Sequence, residues 1–358
     1  MQNDKIYLNA RFLMQRLTGV QRFAIEITKE LKKTYGEKLV VIAPKGILHK
    51  QIGNQLEVVT VGQFSGYFWE QVELPMYLKN NGRPLLVNLC NMAPVCYSNK
   101  IVTVHDLAFS DMSQNFNWKF RMTYQYLMPK LLRSTKKLIT VSNFSKSRLK
   151  YHYPFLKEED MAIVPNGVER PDNSRYISET ETPFILSVAS SSMRKNLGKL
   201  IEAFQIFNNT QGGKYKLHLV GDKNRVFEKQ KALLLGPDII ALGRLSDEEL
   251  HQNYEQAAAC LNLSLYEGFG LPILEALSHS TPVVCSDIEV HREIFKNAVI
   301  FTDPQDAQAV AESLVAAVSN QGTDRRLAIE DLLEKYTWKN SARKLTEAIE
   351  QVQNQSSK

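Results

Sequence analysis

The sequence predicts an α/β protein built from two doubly wound, mostly parallel sheets. Three observations carry that reading. Short apolar runs of buried-strand length alternate with amphipathic helical stretches, and such alternation calls for a parallel sheet covered on both faces. One polar stretch, residues 170–183, interrupts the alternation, which then resumes. The 358 residues suffice for about two domains at roughly 150 residues each.

Lys5–Ala10 reads as the first strand. Gly19–Lys33 follows with Val20, Phe23, Ala24, Ile27 and Leu31 at helical spacing. Leu39–Ala43, Glu57–Val61, Leu85–Leu89, Ile101–Val104 and Leu138–Val141 are further strands. Trp118–Lys137 mixes aromatic, aliphatic and basic residues, a composition suited to a core helix or to an anionic membrane surface. Pro129 interrupts it, which argues against one long membrane-lying helix. The segment RPDNSRYISETETP, bracketed by Pro171 and Pro183, has no periodic apolar face and reads as an interdomain linker. Beyond it, Phe184–Ala189, Lys216–Val220, Ile239–Leu242, Ala259–Leu263, Pro282–Cys285 and Ala298–Phe301 are strands. Asn196–Phe207, Asp306–Val318, Arg326–Glu334 and Trp338–Val352 are helices. The expected division is an N-terminal domain 1–170, a linker 171–183 and a C-terminal domain 184–358, whose last helix could pack back on the first domain. Two such halves leave a cleft, and open α/β sheets bind ligands beyond the C-terminal ends of their strands.

Composition narrows the class. With 44 % hydrophobic and 23 % charged residues, the chain reads as an ordinary soluble protein. No apolar run approaches the roughly 18 residues that span a bilayer. The start, MQNDKIYLNARF, lacks the features of a signal peptide. A cytoplasmic setting is expected, with contact at the inner face of the cell membrane a further possibility. Cys90, Cys96, Cys260 and Cys285 form no C-x-x-C pair and have no histidine at metal spacing, so they read as reduced, mostly buried thiols. Residues 1–170 carry 24 basic and 13 acidic side chains, and the remainder 20 and 25. A basic half suits an acidic substrate or an anionic lipid surface; nucleic acid is not an expected partner.

The most informative string is Tyr266-Glu267-Gly268-Phe269-Gly270-Leu271-Pro272-Ile273-Leu274-Glu275-Ala276, just after a strand. Pro272 suits the start of a helix. Gly268 and Gly270 let the backbone approach a ligand closely. The free amides and positive dipole end of that helix suit an anion or sugar hydroxyls. Arg194-Lys195 are two cations at another helix start, where they oppose the dipole and so call for a ligand. His105 follows the strand Ile101–Val104, at the ligand end by the strand rule. Asp106 beside it either orients the histidine or caps the next turn.

E-G-F-G-L-P-x-L-E-A, with glutamates separated by seven residues, resembles the signature of retaining GT-B glycosyltransferases, and of glycosyltransferase family 4 in particular. Thr18–Phe23, Val104–Leu107, Thr140–Ser145, Val164–Val168, Arg194–Asn196 and Pro282–Val284 resemble further landmarks of that family, in the right order and across nearly the whole chain. The resemblance implies a GT-B fold of two Rossmann-like domains, the second binding a nucleotide sugar and the first the acceptor. It implies that Glu275 bonds the donor ribose. Glu267 and the amides of Gly268, Phe269, Gly270 and Leu271 would hold the donor sugar, and Arg194 and Lys195 would neutralise the diphosphate. His105 would lie near the sugar, and Gly19, Asn166, Gly243 and Arg244 would contact the donor. Many relatives place the arginine earlier, where this chain has Ser190.

The chain has no D-x-D, no G-x-G-x-x-G and no Walker A motif, which disfavours metal-dependent transferases, NAD enzymes and P-loop enzymes. No metal and no cofactor are expected. The implied reaction moves a hexose or deoxyhexose with retention from a nucleotide sugar, GDP-mannose or a UDP-sugar, to a glycan acceptor. A lipid-linked acceptor in surface-polysaccharide synthesis (lipopolysaccharide or capsule) is the first expectation. A soluble disaccharide or sugar-phosphate synthase is the enzymatic alternative. A silent nucleotide-sugar-binding subunit is the non-enzymatic one.

Overall fold

The structure, a computed structural model, describes residues 5–112, 114, 118–171, 182–188, 193–221, 236–319 and 325–356. Most of the expected linker and Ser190 lie outside the described residues. Two compact units divide the chain: Met1–Gly167 with Tyr336–Lys358, and Val168–Lys335.

The first unit holds seven parallel strands. They are β1 (Ile6–Asn9), β2 (Leu39–Ala43), β3 (Val59–Thr60), β4 (Leu85–Asn88), β5 (Lys100–Thr103), β6 (Lys137–Thr140) and β7 (Met161–Ile163). Their order is β3-β2-β1-β4-β5-β6-β7. Ile6 of β1 stands opposite both Leu39 and Leu85. Strands β1, β4 and β5 are buried along their whole length, as a sheet covered on both faces requires. The strand expected at Glu57–Val61 shrinks to two exposed edge residues, because Glu57 adopts φ 52° and leaves the extended region. Strand β7, three residues at the edge of the sheet, is a further strand beyond those expected from the sequence.

Along the helix Gly19–Tyr35, Phe23, Ala24, Ile27 and Leu31 are buried. This helix packs against the last one, Trp338–Ser356, with the Phe23 and Trp338 rings edge to face at 6.2 Å. The chain returns to this unit beside Gly167. A Cβ on Gly167 would stand 2.3 Å from the Trp338 backbone nitrogen, so only glycine fits where the two segments pass. The helix Trp118–Arg133 runs unbroken through Pro129, which corrects the expectation that Pro129 divides it. The helical bond that Pro129 forgoes is the one to the carbonyl of Gln125, an exposed residue, and losing a bond at the exposed face costs less than losing one in the core.

The second unit holds six parallel strands: β8 (Phe184–Val188), β9 (Lys216–Val220), β10 (Ile239–Gly243), β11 (Ala259–Asn262), β12 (Val283–Ser286) and β13 (Ile300–Thr302). Their order is β10-β9-β8-β11-β12-β13. Phe204 and Phe207 of the helix Leu197–Thr210 and Val310 and Leu314 of the helix Ala307–Val318 fill the core on one face. Both sheets therefore have the doubly wound order in which strand direction of travel reverses beside the first strand. The reversal lies between β1 and β4 in the first unit and between β8 and β11 in the second. Cys260 and Cys285 are buried, Cys90 is half-buried and Cys96 is exposed; all four are free thiols. No helix among the described residues is long and apolar enough to cross a membrane.

Candidate active site

In the second unit the chemistry-bearing loops follow β8 and β11, the two strands flanking the reversal. Arg194 and Lys195 come from the short 3-10 turn Met193–Lys195 after β8. Glu267 comes from the loop between β11 and the helix Leu271–Ser278. A backbone bond from Leu265 N–H to the Arg194 carbonyl, 2.7 Å, ties the loops together. Lys195 Nζ then donates to Glu267 Oε1. Arg194 Nη1 lies 3.4 Å from Glu267 Oε2 and 3.5 Å from the Tyr266 carbonyl. Lys195 and Glu267 are each only 8 % exposed. Burial alone would raise the Glu267 pKa; the charges of Lys195 and Arg194 and the Lys195 hydrogen bond outweigh it and hold the carboxyl at about 2. Two residues that the sequence suggested for a diphosphate and one suggested for a sugar thus form a single ion cluster.

Gly270 caps the following helix with φ 103°, a conformation open to glycine and costly for other residues. A Cβ there would meet the Phe295 ring at 3.0 Å and His291 Nε2 at 3.3 Å. Gly268, Phe269 and Leu271 are buried beside it, and the Phe269 ring packs edge-on to Phe295 at 6.3 Å. Pro272 is the second helical residue, one later than expected; its missing N–H is still in the first turn, where no intrahelical partner exists. Glu275 lies further along the same helix. Its Oε2 accepts a 3.0 Å hydrogen bond from the hydroxyl of Tyr254, a fully buried residue. The Tyr254 ring is nearly parallel to that of His279 at 5.7 Å. Gly243 ends β10 with φ 79°, and its carbonyl accepts from Gly221 N–H at 2.8 Å. Arg244 follows it, exposed.

In the first unit His105 is buried, and its backbone and its Nε2 are hydrogen-bonded. Its N–H donates to Asn91 Oδ1 at 2.9 Å, its carbonyl accepts from Ser145 Oγ at 3.0 Å, and its Nε2 bonds the Leu89 carbonyl at 2.9 Å. The ring stands edge-on to Phe23 at 4.9 Å. Burial lowers its pKa against the opposing pull of the Leu89 carbonyl and of Asp106. The Asp106 carboxylate accepts from Ala108 N–H at 3.1 Å, which is the turn-capping role. Gly19 opens the helix after Thr18, and Asn166 is buried.

A second polar cluster sits at the β1/β4 reversal and escaped the sequence reading. Asn9 Nδ2, at the end of β1, donates to Asn88 Oδ1 at the end of β4 (3.0 Å) and to Glu70 Oε1 (2.9 Å). Arg11 Nε lies 3.0 Å from the same carboxylate oxygen, and the Arg11 guanidinium lies over the exposed Tyr67 ring at 4.8 Å. Glu70 belongs to a π-helical turn, Trp69–Glu73, an irregularity frequent at functional sites. The available signal was weak: polar residues at the ends of apolar strands, and a lone glutamate among aromatic residues. Among the described residues no group of three or more His, Cys, Asp or Glu is placed to hold a metal ion.

Two family models match the chain. "Glycosyltransferase Family 4" covers residues 17–170 and "Glycosyl transferases group 1" covers residues 170–331. The chain belongs to the family 4 glycosyltransferases. This glycosyltransferase is 25 % identical over 291 residues to the O-antigen chain mannosyltransferase RfbU of Salmonella typhimurium, covering 79 % of this chain and 78 % of that one. It is 26 % identical over 257 residues to the O-antigen chain mannosyltransferase B of Escherichia coli, covering 67 % of each. Its fold resembles that of Anabaena Alr3699/HepE, solved in complex with UDP and glucose, with a TM-score of 0.75 at 16 % identity over 97 % of this chain and 99 % of that one. The two doubly wound sheets are thus the two Rossmann-like domains of a GT-B glycosyltransferase.

Proposed function

We propose that this glycosyltransferase moves a hexose or deoxyhexose, with retention, from a nucleoside diphosphate sugar to a lipid-linked glycan during surface-polysaccharide synthesis. GDP-mannose is the first candidate donor, since the O-antigen relatives are mannosyltransferases; a UDP-sugar is the second. The observation that carries the reading is the Arg194–Lys195–Glu267 cluster at a helix N-terminus beside the β8/β11 reversal. A diphosphate there meets two cations and the positive end of the helix Leu271–Ser278, and these stabilise the charge that grows on it as the glycosidic bond breaks. Glu267 stays ionised throughout, so it accepts hydrogen bonds from sugar hydroxyls and does not act as a general acid. No carboxylate is assigned as nucleophile. The departing phosphate oxygen takes the acceptor proton on the face it leaves, which accounts for retention. Glu275, steadied by Tyr254, receives the ribose hydroxyls. His105 serves through its backbone carbonyl, which accepts from Ser145 Oγ and keeps a second lone pair for a ligand.

With the cation role filled by Arg194 and Lys195, turnover of the nucleotide sugar is expected to persist in excess EDTA. Activity abolished by chelation and restored by magnesium or manganese contradicts the assignment.

The lipid-linked part of the proposal rests on the helix Trp118–Arg133. Trp118, Met122 and Tyr126, at four-residue spacing, are 63 %, 60 % and 65 % exposed, whereas Tyr124, Met128 and Leu131 face the core. Lys130 Nζ lies 3.6 Å from the centre of the Tyr126 ring, and Arg121 and Arg133 are exposed. Aromatic and basic groups on one surface suit an anionic bilayer. Co-sedimentation with vesicles rich in anionic lipid is expected at low salt and release at high salt, as the Debye length falls from about 10 Å at 0.1 M to about 3 Å at 1 M. Equal partition onto neutral vesicles contradicts the electrostatic account. No sedimentation on either favours the soluble-acceptor reading.

A further inference from the structure

His291 lies on the helix Glu289–Phe295, after β12, and is wholly buried. Its Nδ1 is 2.9 Å from the Ser286 carbonyl oxygen. A carbonyl only accepts, so Nδ1 carries the proton and Nε2 is a bare lone pair. Burial lowers the ring's pKa and keeps it neutral, although the Ser286 carbonyl and Glu267 pull the other way. Nε2 is buried and finds no hydrogen-bond partner among the described residues. It faces the Gly270 turn, where a Cβ would stand 3.3 Å from it. The charged groups whose fields reach the ring are Glu267 and Lys195. Buried polar atoms rarely go unpaired without a reason, and this one looks onto the turn assigned to the donor sugar.

We propose that His291 is a donor-sugar residue, its Nε2 accepting a hydrogen bond from a hydroxyl of the transferred sugar. The inference rests on the donor-site reading above and adds a specificity-determining residue to it. Phosphate oxygens are acceptors and cannot satisfy a bare lone pair; a sugar hydroxyl donates. Glu267 and Lys195, the residues assigned to the donor, act electrostatically on the same ring, which places it at the donor end of the site. A sugar lacking that hydroxyl leaves Nε2 unpaired, and a site built to bond a hydroxyl discriminates strongly against its absence.

Two substitutions separate this role from a structural one. In His291→Asn the amide N–H reproduces the Nδ1–H bond to Ser286 and nothing replaces Nε2. In His291→Gln the amide oxygen reaches the Nε2 position. The probe is whichever of GDP-mannose, UDP-glucose and UDP-N-acetylglucosamine the wild-type full chain binds most tightly, paired with its own nucleoside diphosphate, by calorimetry. His291→Asn is expected to weaken the nucleotide sugar about 5- to 30-fold and leave the diphosphate within about twofold, and His291→Gln to recover most of the loss. Equal loss for both ligands, or none for either, overturns the assignment. Should His291→Asn fail to fold, nitrogen-15 histidine spectra of the wild type decide: the unprotonated Nε2 resonance absent from His291→Gln shifts with the nucleotide sugar and not with the diphosphate, and an unmoved resonance refutes the proposal. A best probe other than GDP-mannose corrects the donor and leaves the His291 test intact. A wild-type protein that binds none of the three overturns the donor-site reading and this inference together.

Discussion

Replacing Lys195 with methionine is expected to lower kcat/KM by about 10²- to 10³-fold, the usual effect of removing one electrostatic contact to a transition state. The substitution keeps the length of the side chain and removes its charge. It also leaves Glu267 buried with only the more distant Arg194, so a stability loss toward the lower end of about 3–5 kcal/mol is expected. The pH dependence fixes the cause. In the wild type the Glu267 pKa is depressed to about 2, so its contribution to stability is full above the unfolded-state value and lost only as pH falls toward 2. Without Lys195 the burial effect regains weight and the pKa moves up. The variant then loses stability as pH rises through that raised value, and the gap from the wild type is wider at pH 7 than near pH 4. Thermal unfolding across this range reads the difference directly. A gap independent of pH means that Lys195 acts through packing and not through Glu267.

Replacing Glu275 with alanine is expected to weaken donor binding about 10- to 150-fold, the loss of a charge-assisted hydrogen bond worth roughly 1.5–3 kcal/mol. The ribose is common to nucleotide and nucleotide sugar, so both should weaken by the same factor. The Tyr254 hydroxyl, which donates to Glu275 Oε2, also loses its acceptor, and the melting temperature should fall modestly. Calorimetry with GDP and with GDP-mannose checks the affinity. Unchanged affinity for both in a folded variant removes Glu275 from the ribose site.

The presence of the strands follows from patterning; their order does not. The central strands β1, β4, β5, β11 and β12 are buried along their length and read as apolar runs, which made them legible in the sequence. Strands β7 and β3, at the two edges of the first sheet, show the limit of this: so short an edge strand takes its extent from the one neighbour it pairs with. Pro129 shows a second limit, since the cost of a helical proline depends on whether water reaches the carbonyl it deprives, and burial is not written in local sequence. At the site, the string around Glu267 and Glu275 was visible because glycine, proline and acid cluster at one helix start. Its pairing with Lys195 was not, because Lys195 and Glu267 lie 72 positions apart in the chain and only the β8/β11 neighbourhood joins them. Tyr254 and His291 were invisible for a related reason. A buried tyrosine and a buried histidine on apolar helix faces read as core until the atom each presents is seen. Asn9, Arg11, Glu70 and Asn88 likewise acquire meaning only once β1 and β4 lie side by side.

The central claim is that this family 4 glycosyltransferase transfers a sugar with retention from a nucleoside diphosphate donor. Its most direct test is proton NMR of the product formed from GDP-mannose and from UDP-sugars on a synthetic lipid-linked glycan. The account predicts that one donor is consumed and that the new linkage keeps the α configuration the sugar had in the donor. A β linkage, or a folded protein that consumes none of the donors, contradicts it.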